Sequence, residues 1–263
     1  MPAFYAHDRF GKEVFPRLDG ELKQIVKKHY RQFRIGLQGP DLFFFYRPYL
    51  PNKISEYGNH LHDISAYPFF QHAVKIVRKR GRKTREYAYL LGFLCHFILD
   101  SECHPYVETY IGRSGVQHLE IEEEFEKMLM RADGKDPFSY PLATLVPVDI
   151  ATAEAIRPFY ENVTSKIILR SLKDMRMIKR LFTTRTPGKQ ALINTAMKMT
   201  GKYASMKGLM NQRMDNPKCR ESNQELKRRF DDSVGLAVKM IESLDESIQA
   251  GKELEKRLDR TFG

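Results

Sequence analysis

Between Gly92 and Glu122 the chain reads GFLCHFILDSECHPYVETYIGRSGVQHLEIE, with three of its eight histidines, His96, His104 and His118. Asp100 stands four residues after His96, and Glu122 four residues after His118. Residues four apart on a helix lie one turn apart on one face. Each pair can therefore aim an imidazole and a carboxylate at one point, a donor set that suits zinc. The stretch reads as the centre of a metal site holding more than one ion.

Further donors lie upstream. His7 and Asp8 sit in an aromatic-rich opening segment over residues 3–17. Asp41 follows Gly39-Pro40, a turn signal, just before the run Phe43, Phe44, Phe45 and Tyr46. Alone, Asp41 reads as a first-turn carboxylate stabilising a helix dipole. The aromatic run reads as core, with some rings free to wall a pocket. His60 and His62 are two residues apart and cannot share a helix face, but a loop or extended segment lets both point one way. Residues 56–72 therefore read as a loop offering two histidines beside Asp63. His29 and His72 read as helix-surface residues. Cys95, Cys103 and Cys219 are too few and odd in number for a disulfide framework, and read as buried free thiols.

These donors need elements to hold them. Thr84 can cap a helix over TREYAYLLGFLCHFILD, apolar on most faces and so expected to be central and buried. A buried carboxylate there is costly unless paired or metal-bound, which singles out Asp100. His104 is expected in a loop broken by Pro105. Residues 116–130 form a charged helix. Leu119, Phe125, Met128 and Leu129 are its buried side, and most of the consecutive Glu122, Glu123 and Glu124 are solvated. Residues 18–33 show helical apolar spacing. The basic run from Lys75 to Arg85 reads as a helix end and solvated loop. Its lack of interleaved aromatics makes it a weak nucleic-acid patch, and an anionic membrane surface is an equal candidate. After a loop at 131–147 the chain reads helical over 148–182, 188–212 and 222–260, with Ser222 and Glu225 as a capping box. The expected fold is all-α, a multi-helix bundle in a single domain over residues 1–263.

Hydrophobic residues make up 42% and charged residues 29%, an ordinary globular balance, and the formal charge of +11 favours anionic partners. MPAFYAHDRFGKEVF lacks the basic head and apolar stretch of a secretion signal, and no apolar run reaches the ~20 residues of a membrane span. A soluble, cytoplasmic protein is expected. Oligomeric state is not legible.

The order of these motifs resembles the bacterial zinc-dependent phospholipase C family, whose all-α fold is shared by fungal single-strand nucleases. The matching order is His7, Asp41, His62, the pair His96/Asp100, His104 and the pair His118/Glu122. The resemblance covers residues 1–125. It implies zinc ions, with Asp41, His62, His96 and Asp100 holding the first. His104, His118 and Glu122 would hold the second, and His7 with a bridging Asp100 the third. In the family the third ion also binds the amine and carbonyl of an N-terminal tryptophan. This chain has no tryptophan and begins Met-Pro-Ala. With the Pro2 amine as the substitute on offer, two ions stand beside three as the expectation. The resemblance prefers His62 to His60. It implies hydrolysis of a phospholipid head-group phosphodiester, with Asp41 as ligand and base nearest the attacking water. Another phosphodiester on the same scaffold, such as single-stranded nucleic acid, ranks second, and a non-catalytic metal-binding helical protein third.

Overall fold

The computed structural model describes residues 4–263. Twelve α-helices follow in order: α1 Phe4–Val14, α2 Gly20–Lys28, α3 Tyr30–Gly36, α4 Lys53–Asp63, α5 Tyr67–Arg80, α6 Arg85–Ser114, α7 His118–Ala132, α8 Ile150–Ile156, α9 Ser165–Phe182, α10 Pro187–Met199, α11 Tyr203–Met206 and α12 Cys219–Ala250. A 3-10 helix at Gly39–Phe45 lies between α3 and α4. No strand occurs among the described residues, and none of their helices is long and apolar enough to cross a membrane. The fold is all-α.

The 30-residue α6 is the axis of the molecule. Thr84 caps it, its Oγ1 accepting the Tyr87 N–H at 3.4 Å. Residues 87–101 of α6 are buried without interruption, so apolar side chains point outward in every direction into neighbouring elements. The helices α3, α12, α1 and α8 all pack against it. One buried apolar cluster takes in side chains from Phe4 to Phe262.

Several expectations need correcting. Residues 56–72 are not a loop: 56–63 make up most of α4, capped by Asn52, whose Oδ1 accepts the N–H groups of Ile54 and Ser55, and α5 begins at Tyr67. His104 is not in a broken loop, because α6 runs on through Pro105. That proline removes the one intrahelical bond to the Ser101 carbonyl, and packing on all sides outweighs the loss. The glutamates of α7 are not solvated: Glu120, Glu122, Glu123, Glu124 and Glu126 are all buried. Segment 18–33 breaks at His29, and 148–182 breaks between α8 and α9. The last helix starts at Cys219 and ends at Ala250, so Ser222 lies inside it. The Ser222 hydroxyl bonds the Cys219 carbonyl, and Glu225 pairs with Arg228 and Arg229 instead of closing a capping box.

Candidate metal centre

The helix α6 supplies His96, Asp100 and His104 on three successive turns of one face, spread over about 12 Å of axis. Around this row come His7 from the first turns of α1, Asp41 from the 3-10 helix, His62 from the last turn of α4, and His118 and Glu122 from the start of α7.

The eight side chains form one continuous network. His62 Nε2 lies 2.9 Å from Asp41 Oδ1, and His96 Nε2 is 3.9 Å from the same oxygen. Asp100 sits in the middle. Its Oδ2 is 3.2 Å from His96 Nε2, and its Oδ1 is 3.1 Å from His7 Nε2 and 3.5 Å from His104 Nε2. Glu122 Oε1 lies 3.6 Å from His104 Nε2 and 3.1 Å from His118 Nε2. Donor atoms gather into three groups: His7/His96/Asp100, Asp41/His62/His96 and His104/His118/Glu122. His96 borders two of them. The amine of Pro2 lies outside the described residues.

The residues fit zinc on geometry and on chemistry. Bonds of about 2.0–2.2 Å in a tetrahedron place ligand atoms about 3.3–3.6 Å apart, and the donor atoms here lie 2.9–3.9 Å apart. Three histidines have the ring nitrogen facing away from the network held by an oxygen. His62 Nδ1 meets the Gly58 carbonyl at 2.7 Å, His96 Nδ1 the Leu37 carbonyl at 3.2 Å and His118 Nδ1 a Glu108 carboxylate oxygen at 3.0 Å. In its neutral form an imidazole so held donates through Nδ1 and presents a lone pair at Nε2, the arrangement that orients a metal ligand. His96 Nε2, Asp100 Oδ2, His104 Nε2 and Glu122 Oε2 are buried yet make no hydrogen bond of good geometry among the described residues. Buried polar atoms are seldom left so.

Electrostatics point the same way. Burial pushes the Glu122 carboxyl up, but His118 and His104 outweigh it and hold it down to about 2. Burial also opposes ionisation of Asp100, and His104, His96 and His7 keep it well below the usual carboxylate range; Asp41 is held low as well, with His62 and His96 contributing. Burial drives His96 down to about 3, so it is a neutral imidazole. His118 goes up to about 9, as Glu122 and Glu108 overcome its burial. Three buried carboxylates are thus held anionic, compensated by His7, His104 and His118, whose proton affinity they raise, or by a bound cation in their place.

Other candidates are placed elsewhere. Asp8, next to His7, turns away to Arg34 and Lys12, each at 2.6 Å. His60 is exposed, because α4 sends it to a different face from His62. Cys95, Cys103 and Cys219 are buried free thiols, and burial pushes their proton affinity up. The basic run at Lys75–Arg85 is largely tied up: Arg80 pairs with Glu86, Arg82 with Asp245 and Lys83 with Glu21.

Gly39 was not singled out by the sequence reading. Its φ of +46° and its lack of a side chain let the His96 ring lie directly against it, where a Cβ would collide. The Gly-Pro turn signal pointed to the position but not to this role. Glu108, which orients His118, carried no signal at all.

A cavity of about 640 Å³ opens onto this network. His62, His104 and His118 form its inner end, and Phe44, Phe45, Ile178, Phe182, Met206 and Leu209 line its apolar walls. The aromatic run thus splits, with Phe43 in the core and Phe44 and Phe45 in the wall.

The sequence model of the family described as "Zinc dependent phospholipase C" matches residues 6–175. No curated protein and no solved structure matches the chain.

Proposed function

The chain belongs to the zinc-dependent phospholipase C family, and from that premise we propose that it hydrolyses the head-group phosphodiester of phospholipids at a centre of two or three zinc ions. The observation that carries this reading is the apolar cavity ending at His62, His104 and His118. A lipid phosphodiester has the same two ends, a charged phosphate and an apolar body.

In this reading Asp41, His62, His96 and Asp100 bind one ion, and His104, His118 and Glu122 a second. His7 and Asp100 bind the third. When bound, zinc supplies Lewis acidity, polarising a phosphoryl oxygen and making water a better nucleophile. The chain's own residues do the rest. The Nδ1 partners of His62, His96 and His118 fix the rings, so nothing has to reorganise as charge develops. Asp100, buried between three histidines, holds adjacent groups at fixed spacing. Asp41 is the carboxylate we place nearest the attacking water. Anionic and buried, it orients the water by accepting its hydrogen bond. The walls of Phe44, Phe45 and Phe182 exclude solvent.

The mouth of the cavity suits a lipid surface. Tyr49 and Leu50 are exposed there at 63% and 58%. Leu181 is exposed at 47%, and it lies two turns from Asp174, whose carboxylate accepts the Arg47 N–H. The same exposed Tyr49 is a possible base-stacking platform, so single-stranded nucleic acid is the second substrate to test.

Metal analysis of the purified protein, followed by assays on phosphatidylcholine and single-stranded DNA, tests the proposal. Two or three zinc ions per chain and lipid head-group release are expected, with Asp100→Asn lowering metal content and turnover together. Cleavage of DNA without lipid hydrolysis, or full activity of Asp100→Asn with normal metal, would overturn it.

A further inference from the structure

The end of the described chain lies far from the metal centre in sequence and against it in space. After α12 a 3-10 turn at Lys256–Leu258 buries Leu258, and the segment then crosses the α4–α5 junction. Ser65 Oγ donates to Asp259 Oδ1 at 2.6 Å, and the Ala66 N–H donates to the Arg260 carbonyl at 2.9 Å. Arg257 and Arg260 both pair with Glu102 on α6, two residues beyond Asp100. The Phe262 N–H donates to the His62 carbonyl at 3.3 Å. That carbonyl is one of the last four of α4, which have no partner within their own helix.

These anchors place one ring. Phe262 is 2% exposed, and its centroid lies 5.1 Å from His62, 5.7 Å from His96, 5.2 Å from Phe97 and 5.8 Å from Phe93. It touches both histidines that face Asp41. Gly263 packs so close to His104 that any side chain there would run into the imidazole.

His62 needs such support. It sits in the last turn of a helix, where ends fray, and its Nδ1 bond to the Gly58 carbonyl is internal to α4. That bond fixes the tautomer but not where the helix end sits. Phe44 stacks on the ring at 5.1 Å, yet it too comes from the 3-10 helix carrying Asp41. Phe262 ties the ring to a separate framework, α6 and the α4–α5 junction.

We propose that Asp259–Gly263 is a strap that completes the metal centre, with Phe262 the positioning residue that holds the His62 and His96 rings in register with Asp41. This rests on the reading of His62 and His96 as zinc ligands. Residues 259–263 lie beyond the 6–175 match.

The test compares zinc affinity, by competition with a chromophoric chelator, with the visible spectrum of the cobalt-substituted protein, using full-length wild type, Phe262→Ala, Phe262→Leu and Ser65→Ala. Phe262→Ala is expected to weaken one class of zinc sites by about tenfold, the scale seen when outer partners of ligands are lost, and to alter the cobalt spectrum. Phe262→Leu should restore part of both. Ser65→Ala cuts one anchor without touching a ring, and should shift affinity in the same direction by a smaller factor. It decides the matter if Phe262→Ala does not fold. Lower melting temperature with unchanged affinity and spectrum would make Phe262 a packing residue only and overturn the proposal. A wild-type chain that takes up no zinc would overturn the ligand reading itself and the strap with it.

Discussion

Glu126 and Glu122 stand one turn apart on α7 and meet the centre in different ways. Glu122 faces His104 and His118, whereas Glu126 accepts the N–H of Tyr5 and, at 3.2 Å, that of Ala6. Those amides belong to the unpaired first turn of α1, so Glu126 seats the helix that delivers His7. Burial raises the Glu126 carboxyl from its ordinary 4.5 to about 7, against the opposing pull of Lys179 and the two amides. The unfolded chain then gives up this proton first as pH rises. The group's contribution to stability is whole below about pH 4.5 and is lost as pH climbs through 7. Unfolding free energy should fall by on the order of 2–3 kcal/mol from this group between pH 5 and 8. Glu126→Gln keeps an acceptor for the amides and should remove that part of the slope. Urea titrations of both proteins across this range check it, and identical slopes would count against the assignment. The four-residue spacing that singles out Glu122 stops there, and Glu126, eight residues after His118, carried no signal in the sequence. What it bonds was not legible either, because Tyr5 and Ala6 are about 120 residues away in sequence.

At the scale of elements, α7 shows where composition misleads. Its run of glutamates reads as a solvated face, yet the helix lies under the 202–217 region, and Glu120, Glu123 and Glu124 point into it. Lys127, fully buried, is 3.1 Å from Glu123, 2.9 Å from Glu124 and 3.0 Å from Asp215, and donates to the Gln212 carbonyl. Lys207 and Asn216 take up Glu120. Lys127→Met removes the buried cation that Glu123 and Glu124 share, leaving them the Gln212 and Asn216 amides, and should cost up to about 3 kcal/mol, measured by chemical denaturation. A loss below about 1 kcal/mol would show that Asp215 and Gln212 open the site to water. The helix α4 errs in the other direction. Two histidines spaced by two suggested a loop, but Asn52 caps a regular helix, and helical rotation then separates His60 from His62. In α6 Pro105 suggested an end, and burial along fifteen residues before it kept the helix going.

For the whole molecule the buried carboxylates set a condition on stability. Without cations, Asp100 and Glu122 lean on the histidines around them for compensation inside a low-dielectric interior. Zinc that binds only the folded chain adds about 2.7 kcal/mol per site at a free concentration a hundredfold above its dissociation constant. Stripping the metal with a strong chelator should therefore lower the melting temperature by about 5–10 °C for each site emptied. Added zinc should restore it and magnesium should not, since imidazole ligands favour the former. A melting curve indifferent to chelation would mean that the cluster holds no tightly bound ion.

The sequence by itself determined the fold class, the family and the local geometry of His96/Asp100 and His118/Glu122, because a helix turns at a fixed 3.6 residues and converts spacing into direction. It also gave the chemistry, since imidazole and carboxylate at those spacings suit few things besides a metal. Only the tertiary structure decided how α1, the 3-10 helix, α4, α6 and α7 converge, which of His60 and His62 turns inward, why α7 buries its charges and that Phe262 reaches the centre. Those depend on contacts between residues tens to hundreds of positions apart, and no periodicity along the chain records which distant surfaces will close on one another.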